Sequence, residues 1–142
     1  MIVWDTSALT ACYQALEKGH SRALSFLKQR DQHAASSFIL LEGSSAFARV
    51  HRHDSARSRA AIAWLEEQLI RFDLVAIDNT VLSRAKKLAQ RHGLRGADAL
   101  HVATALELAL IVGRRRLHFI TFDAEQARAA HAEKLRVIDP GA

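Results

Sequence analysis

The chain of 142 residues carries 20 Lys and Arg against 15 Asp and Glu, a net charge of +5 with His neutral, and is 49% hydrophobic and 25% charged. That balance is globular and excludes a disordered chain. A single cysteine, Cys12, excludes an internal disulfide and fits a reducing compartment.

The chain opens on a β-prone stretch, Ile2 to Trp4, that stops at Asp5. Asp5 inside this apolar start, and the lack of a basic leader, argue against a signal peptide. Thr6 or Ser7 is expected to cap a helix running to about Lys18 with Gly19 as its stop. A second helical piece covers Ser21 to Gln29, and His33 to Ser36 reads as a brief strand. Phe38 to Arg52 carries apolar residues at helical spacing (Phe38, Leu41, Phe47, Val50), and Ala56 to Ile70 places Ile62, Leu65 and Leu69 on one stripe. Phe72 to Ile77 is the next strand, after which Asp78 caps a helix from Thr80 to His92, stopped by Gly93. Ala97 to Val112 is apolar around most of its circumference, which predicts a buried helix. Leu117 to Phe122 is the strongest strand, followed by a helix from Ala124 to Glu133 and a last strand from Leu135 to Ile138. The longest apolar tract, Leu100 to Gly113, is broken by His101 and Glu107 and falls short of the about 20 residues of a membrane span. Strand–helix alternation predicts an α/β fold, a short parallel sheet covered on both faces. The lone proline, Pro140, marks no internal linker, so one cytoplasmic domain over 1–142 with no membrane association is expected.

The informative pattern is where acids fall. Asp5 closes the first strand and Asp123 the fourth, while Glu42 and Asp98 lie in helices that begin soon after a loop. Parallel sheets bind ligands beyond the carboxyl ends of their strands. Two carboxylates about 4 Å apart repel by about 4 kcal/mol at an effective dielectric of about 20, so a cluster of them calls for a proton or a cation. Mg²⁺ takes oxygen ligands and bridges to phosphate, and such ions activate water in phosphodiester hydrolysis. Each acid also has a plainer reading. Asp5, Asp98 and Asp123 all stand where a helix cap would. Glu42 is harder to explain that way, because buried Glu without a partner is rare.

Four stretches resemble the PIN-domain family, and within it the VapC-type toxin ribonucleases. They are Ile2-Val3-Trp4-Asp5-Thr6-Ser7-Ala8-Leu9, Leu41-Glu42 followed by small residues, Gly93-Leu94-Arg95-Gly96-Ala97-Asp98-Ala99-Leu100-His101-Val102-Ala103-Thr104-Ala105, and Phe119-Ile120-Thr121-Phe122-Asp123. The resemblance spans nearly the whole chain, and its third block is the most specific. It implies a three-layer α/β/α sandwich with a short central parallel sheet. It implies a Mg²⁺- or Mn²⁺-dependent endoribonuclease whose acidic site is Asp5, Glu42, Asp98 and Asp123, with Asp5, Asp98 and Asp123 on the metal. Ser7 and Thr121 match hydroxyl positions that brace the site, with Thr6 a further candidate. A homodimer, an RNA substrate and inhibition by a cognate VapB-like antitoxin are implied as well. The Arg- and His-rich segment from Arg49 to Arg59 and the Gly113-Arg114-Arg115-Arg116 run depart from the shared pattern.

Among the remaining residues, Arg49, Arg52 and Arg95, with Lys86 and Arg91, are candidates for RNA phosphates. Arg114–Arg116 precede the strand that Asp123 follows and are expected at the opposite edge. His101, three residues after Asp98, is expected as a packed histidine satisfied by a partner. His51 and His53 lack further ligands for a zinc site. Trp4 is expected in the core and Trp64 in packing or a partner contact. A haloacid dehalogenase-type phosphatase would need an acid where Ser7 stands, and Asp5 and Asp123 do not fit a phospho-receiver, which wants an acceptor Asp closing the third strand with a Lys closing the fifth. A PIN-like module that binds RNA or a partner without cutting is the alternative function.

Overall fold

The computed structural model describes residues 1–139; Pro140 and the two residues after it lie outside the described residues. Five parallel strands, β1 (Ile2–Trp4), β2 (His33–Ser36), β3 (Phe72–Val75), β4 (His118–Ile120) and β5 (Arg136–Ile138), form one sheet in the order β3-β2-β1-β4-β5. Around it lie α1 (Thr6–Ala11), α2 (His20–Leu27), α3 (Phe38–Val50), α4 (Ser55–Leu69), α5 (Asn79–His92), α6 (Gly96–Val112) and α7 (Ala124–Ala132). Side chains alternate across each strand, and this sorts the core into two layers. Ile2, Trp4, Ala35 and Ile120 pack with residues of α1 to α4, while Val3, Ala34 and Phe119 pack with residues of α5 to α7. The result is the expected α/β/α sandwich. Among the described residues no helix is long and apolar enough to cross a membrane.

Most helix ends follow their local chemistry. Asp54 and Asp78 accept from the backbone N–H groups of Arg57 and Val81 (3.1 and 2.9 Å), and Gly93 stops α5 in the left-handed region. The first helix is shorter than its pattern suggests, ending at Ala11 rather than near Lys18. Tyr13 N–H bonds back to Thr10 O, a tightened turn, and His20 Nδ1 donates to Ala11 O (2.7 Å) to tie the next helix against this end. Gly19, expected to stop α1, instead precedes α2 with φ 82°. Leu16, past the end of the helix, stands fully in solvent.

Trp4 is wholly buried and its Nε1 donates to His33 Nδ1 (3.0 Å), which fixes it as a core residue. Trp64 packs against Tyr13 and Phe47, at ring-centroid distances of 5.2 and 6.4 Å. The connections leave β1 in two directions: β2 lies to one side, whereas β4 arrives on the other after α5 and α6. A crevice therefore opens past the carboxyl ends of β1 and β4, the place where open parallel sheets bind ligands.

Candidate active site

Register brings the first elements of the site together. Trp4 pairs with Ile120, so the next residues on the two strands, Asp5 and Thr121, emerge side by side, and Asp5 N–H still reaches Ile120 O (3.2 Å). Asp5 is also the N-cap of α1, a position expected for Thr6 or Ser7, and its Oδ1 accepts from Ala8 N–H (2.9 Å). The capping and site readings of Asp5 thus describe one geometry. Ser7 Oγ donates to both Asp5 oxygens (2.9 and 2.7 Å), and Thr121 Oγ1 donates to Oδ2 (2.8 Å).

The end of β4 is spent on this arrangement. The strand was expected to run to Phe122, but the ladder stops at Ile120. Phe122 N–H turns to Ser7 Oγ and Asp123 N–H to Thr121 Oγ1, each at 3.0 Å. Both hydroxyls are thereby held from behind while their protons face Asp5. Asp123 does not end the strand itself; it caps α7, accepting from Gln126 N–H (2.8 Å).

Asp98 enters from α6. It is not the helix cap, since Arg95 occupies that position, and lies instead in the first turn. From there the N-terminal end of the helix dipole favours its negative charge. Burial raises its carboxyl to about 6, with repulsion from Asp123, Glu42 and Asp5 adding to the rise and His101 opposing it. The charges of Asp123, Glu42 and Asp5 thus all act on Asp98. Asp5 is raised too, first by complete burial, against the charge of His101 and the hydrogen bonds from Ala8, Ser7 and Thr121.

Glu42, on α3, has the opposite balance. Burial pushes it up, but hydrogen bonds from His101 and Thr6 and the charges of His101 and Arg49 outweigh this and hold the carboxyl below its usual range. His101 Nε2 lies 2.8 Å from Glu42 Oε1 and 3.2 Å from Thr6 Oγ1. This matches the packed histidine with a carboxylate partner at Nε2 only, since Nδ1 is buried without a partner among the described residues, and it ties α3 to the buried helix α6.

One residue went unseen in the sequence. Gln126 Nε2 donates to Asp5 Oδ2 and to Asp98 Oδ1, both at 3.0 Å. Asp123-Ala124-Glu125-Gln126 has the spacing of a capping box, which could have flagged the position. Its glutamine points at the other acids rather than back to its cap.

Of the basic candidates, Arg49 is exposed with its charge acting on Glu42, and Arg95 is exposed at the start of α6. Arg52 lies beyond α3 and its Nε donates to His53 Nε2 (3.2 Å), not to any of the acids. Arg91 is committed to Glu133 (2.6 Å), and Lys86 lines an apolar groove between α5 and α6. Arg114–Arg116 precede β4, where Arg114 donates to Glu133 O and Arg136 donates to Arg115 O, at the edge of the sheet away from the acids. A cleft of about 440 Å³ opens beside Ser7, lined by Thr10, Gln14, Lys18 and Phe122 among others.

Among the described residues no three His, Cys, Asp or Glu side chains form a ready metal cage. The donor set nonetheless fits a hard divalent cation, since it is all oxygen and its members repel one another.

The PIN domain family model matches residues 2–132, and the chain belongs to the PIN domain family. Solved structures share the fold at low identity. FitAcB from Neisseria gonorrhoeae is 20% identical over 99% of this chain and 98% of its own, with a TM-score of 0.74. A toxin–antitoxin complex from Klebsiella pneumoniae is 22% identical over 99% of this chain and 98% of its own (TM-score 0.63). VapBC2 from Rickettsia felis, bound to a DNA fragment from its promoter, is 14% identical over 98% of both chains (TM-score 0.66). No curated protein matches the chain.

Proposed function

We propose that this protein is a Mg²⁺- or Mn²⁺-dependent endoribonuclease and the toxin of a toxin–antitoxin pair. The observation that supports the reading is that Gln126 touches three of the acids, its Nε2 donating to Asp5 and Asp98 and its backbone N–H to Asp123, with the charge of Glu42 also acting on Asp98. The family membership and the toxin–antitoxin complex among the structural neighbours support it.

A bound divalent ion would supply an acidified water and charge neutralisation for the departing oxygen. Asp5, Asp98 and Asp123 are the residues to hold it. Ser7 and Thr121 fix the Asp5 carboxylate in one orientation, so no reorganisation is needed as charge develops. Glu42, kept ionised by His101 and Thr6, accepts a proton from the attacking water. That water's oxygen bonds to phosphorus as the P–O bond to the leaving oxygen breaks. Arg49 and Arg95 receive flanking phosphates at the rim, with Arg52 beyond them. A homodimer, a cytoplasmic location and a VapB-like antitoxin complete the proposal.

The test is cleavage of RNA by the purified protein with Mg²⁺ or Mn²⁺ against the same reaction in EDTA, repeated with Asp5→Asn and Asp98→Asn. Cation-dependent cutting that both variants lose supports the reading; equal cutting by all three refutes the site. A PIN module that binds without cutting is the second reading. It is favoured by the Asp5 carboxylate, whose oxygens are already filled by hydrogen bonds.

A further inference from the structure

We infer that the Gln126 side-chain amide is a bridge that a divalent cation has to displace, and that Gln126 thereby sets how tightly the acidic site takes metal. The inference rests on the metal-dependent reading above and concerns a residue outside the acid set.

It starts from a count of donors on Asp5. An ionised carboxylate offers about four lone-pair sites. Asp5 already receives four donors: Ala8 N–H on Oδ1, Thr121 Oγ1 and Gln126 Nε2 on Oδ2, and the one Ser7 Oγ proton shared between both oxygens. No room is left for a cation on Asp5 until a donor leaves. Ala8 N–H is backbone in the first turn of α1 and cannot leave without unwinding it. Ser7 Oγ and Thr121 Oγ1 are pinned by the backbone N–H groups of Phe122 and Asp123.

Gln126 differs from these donors in how it is held. Its side chain is 3% exposed, yet its Oε1 is buried with no hydrogen-bond partner, so nothing anchors the far side of the amide. Its backbone N–H is fixed on Asp123 Oδ1, which keeps the side chain aimed into the cluster. The amide also spans the two acids that a cation would span, Asp5 and Asp98, placing a neutral donor between two negative groups. Bridge and cation compete for the same oxygens. The amide stabilises the metal-free site and raises the cation concentration needed to fill it.

The experiment compares metal-free wild type with Gln126→Met, which fills the volume without a donor. Mn²⁺ is titrated by calorimetry and melting is followed in EDTA. Losing a hydrogen bond to a charged group predicts that the variant binds Mn²⁺ roughly tenfold more tightly. It should also melt lower than wild type in EDTA and recover most of that deficit in saturating Mn²⁺. A residue that merely braced the acids would give weaker binding when removed, so equal or weaker affinity overturns the bridge.

If the variant does not fold, the wild type alone decides. The Gln126 side-chain amide resonances should move on Mg²⁺ titration with the same midpoint as the calorimetric binding, and unmoved resonances overturn the inference. Wild type that binds Mn²⁺ and cuts RNA while Gln126→Met binds no tighter removes the bridge and leaves the nuclease reading intact. Failure of both proteins to bind Mn²⁺ removes both.

Discussion

Asp98→Asn is the sharpest perturbation of the acidic cluster. The folded protein raises the Asp98 carboxyl from the usual 3.8 to about 6, first by burial and then by repulsion from Asp123, Glu42 and Asp5. The folded state therefore binds the proton more tightly than the unfolded chain, and stability falls as pH rises from about 4 to about 6. Above that range the penalty is complete. Taken at full weight the rise is worth about 3 kcal/mol, but Asp98 is only half-buried and solvent screening reduces this to about 1 kcal/mol. Asparagine removes the charge and keeps an oxygen that can accept from Gln126 Nε2. In EDTA at pH 8, urea denaturation should show Asp98→Asn more stable than wild type by about 1 kcal/mol, with the gap closing near pH 4. A variant that is less stable at pH 8, or a difference that does not vary with pH, would refute the claim that these acids repel across one site. The same substitution should abolish RNA cleavage, so stability and activity move in opposite directions.

Further substitutions test the scaffold and the rim. Thr121→Val removes a donor to Asp5 and the acceptor of Asp123 N–H, and should cost about 2 kcal/mol by urea denaturation. Gly43→Ala would place a methyl group 2.6 Å from Leu65 Cδ2, inside the wholly buried contact between α3 and α4, and should cost about 1–3 kcal/mol, read as a lowered melting temperature. Arg49→Ala should raise KM for RNA with kcat little changed, whereas Arg114→Ala, at the far edge of the sheet, should leave both unchanged in steady-state assays.

Much of the architecture was legible because its causes are local. Asp78 before its helix and Gly93 after it fix both ends of α5 by side-chain capping and by a left-handed backbone, each within a few residues. The apolar tract that became α6 announced its burial by having no polar face. Local logic failed at α1, where the same kind of pattern ran on past Ala11 but the chain turned to tie His20 against the helix end. It also overran β4, because Phe122 and Asp123 gave their backbone N–H groups to two hydroxyls of the site instead of to a neighbouring strand.

The four acids of the proposed site were picked out by their places in the chain and by family resemblance, and Asp5 and Asp123 also cap helices. What the sequence by itself determined was the set of helices and strands and which carboxylates to propose, since capping, periodicity and acid placement act over short spans. Only the tertiary structure decided which groups meet. Gln126 reaches Asp5 across 121 positions of chain, and His101 reaches Glu42 across 59. Such contacts depend on strand order and on the packing of α6 and α7 against the sheet, and no spacing rule along a chain carries that information.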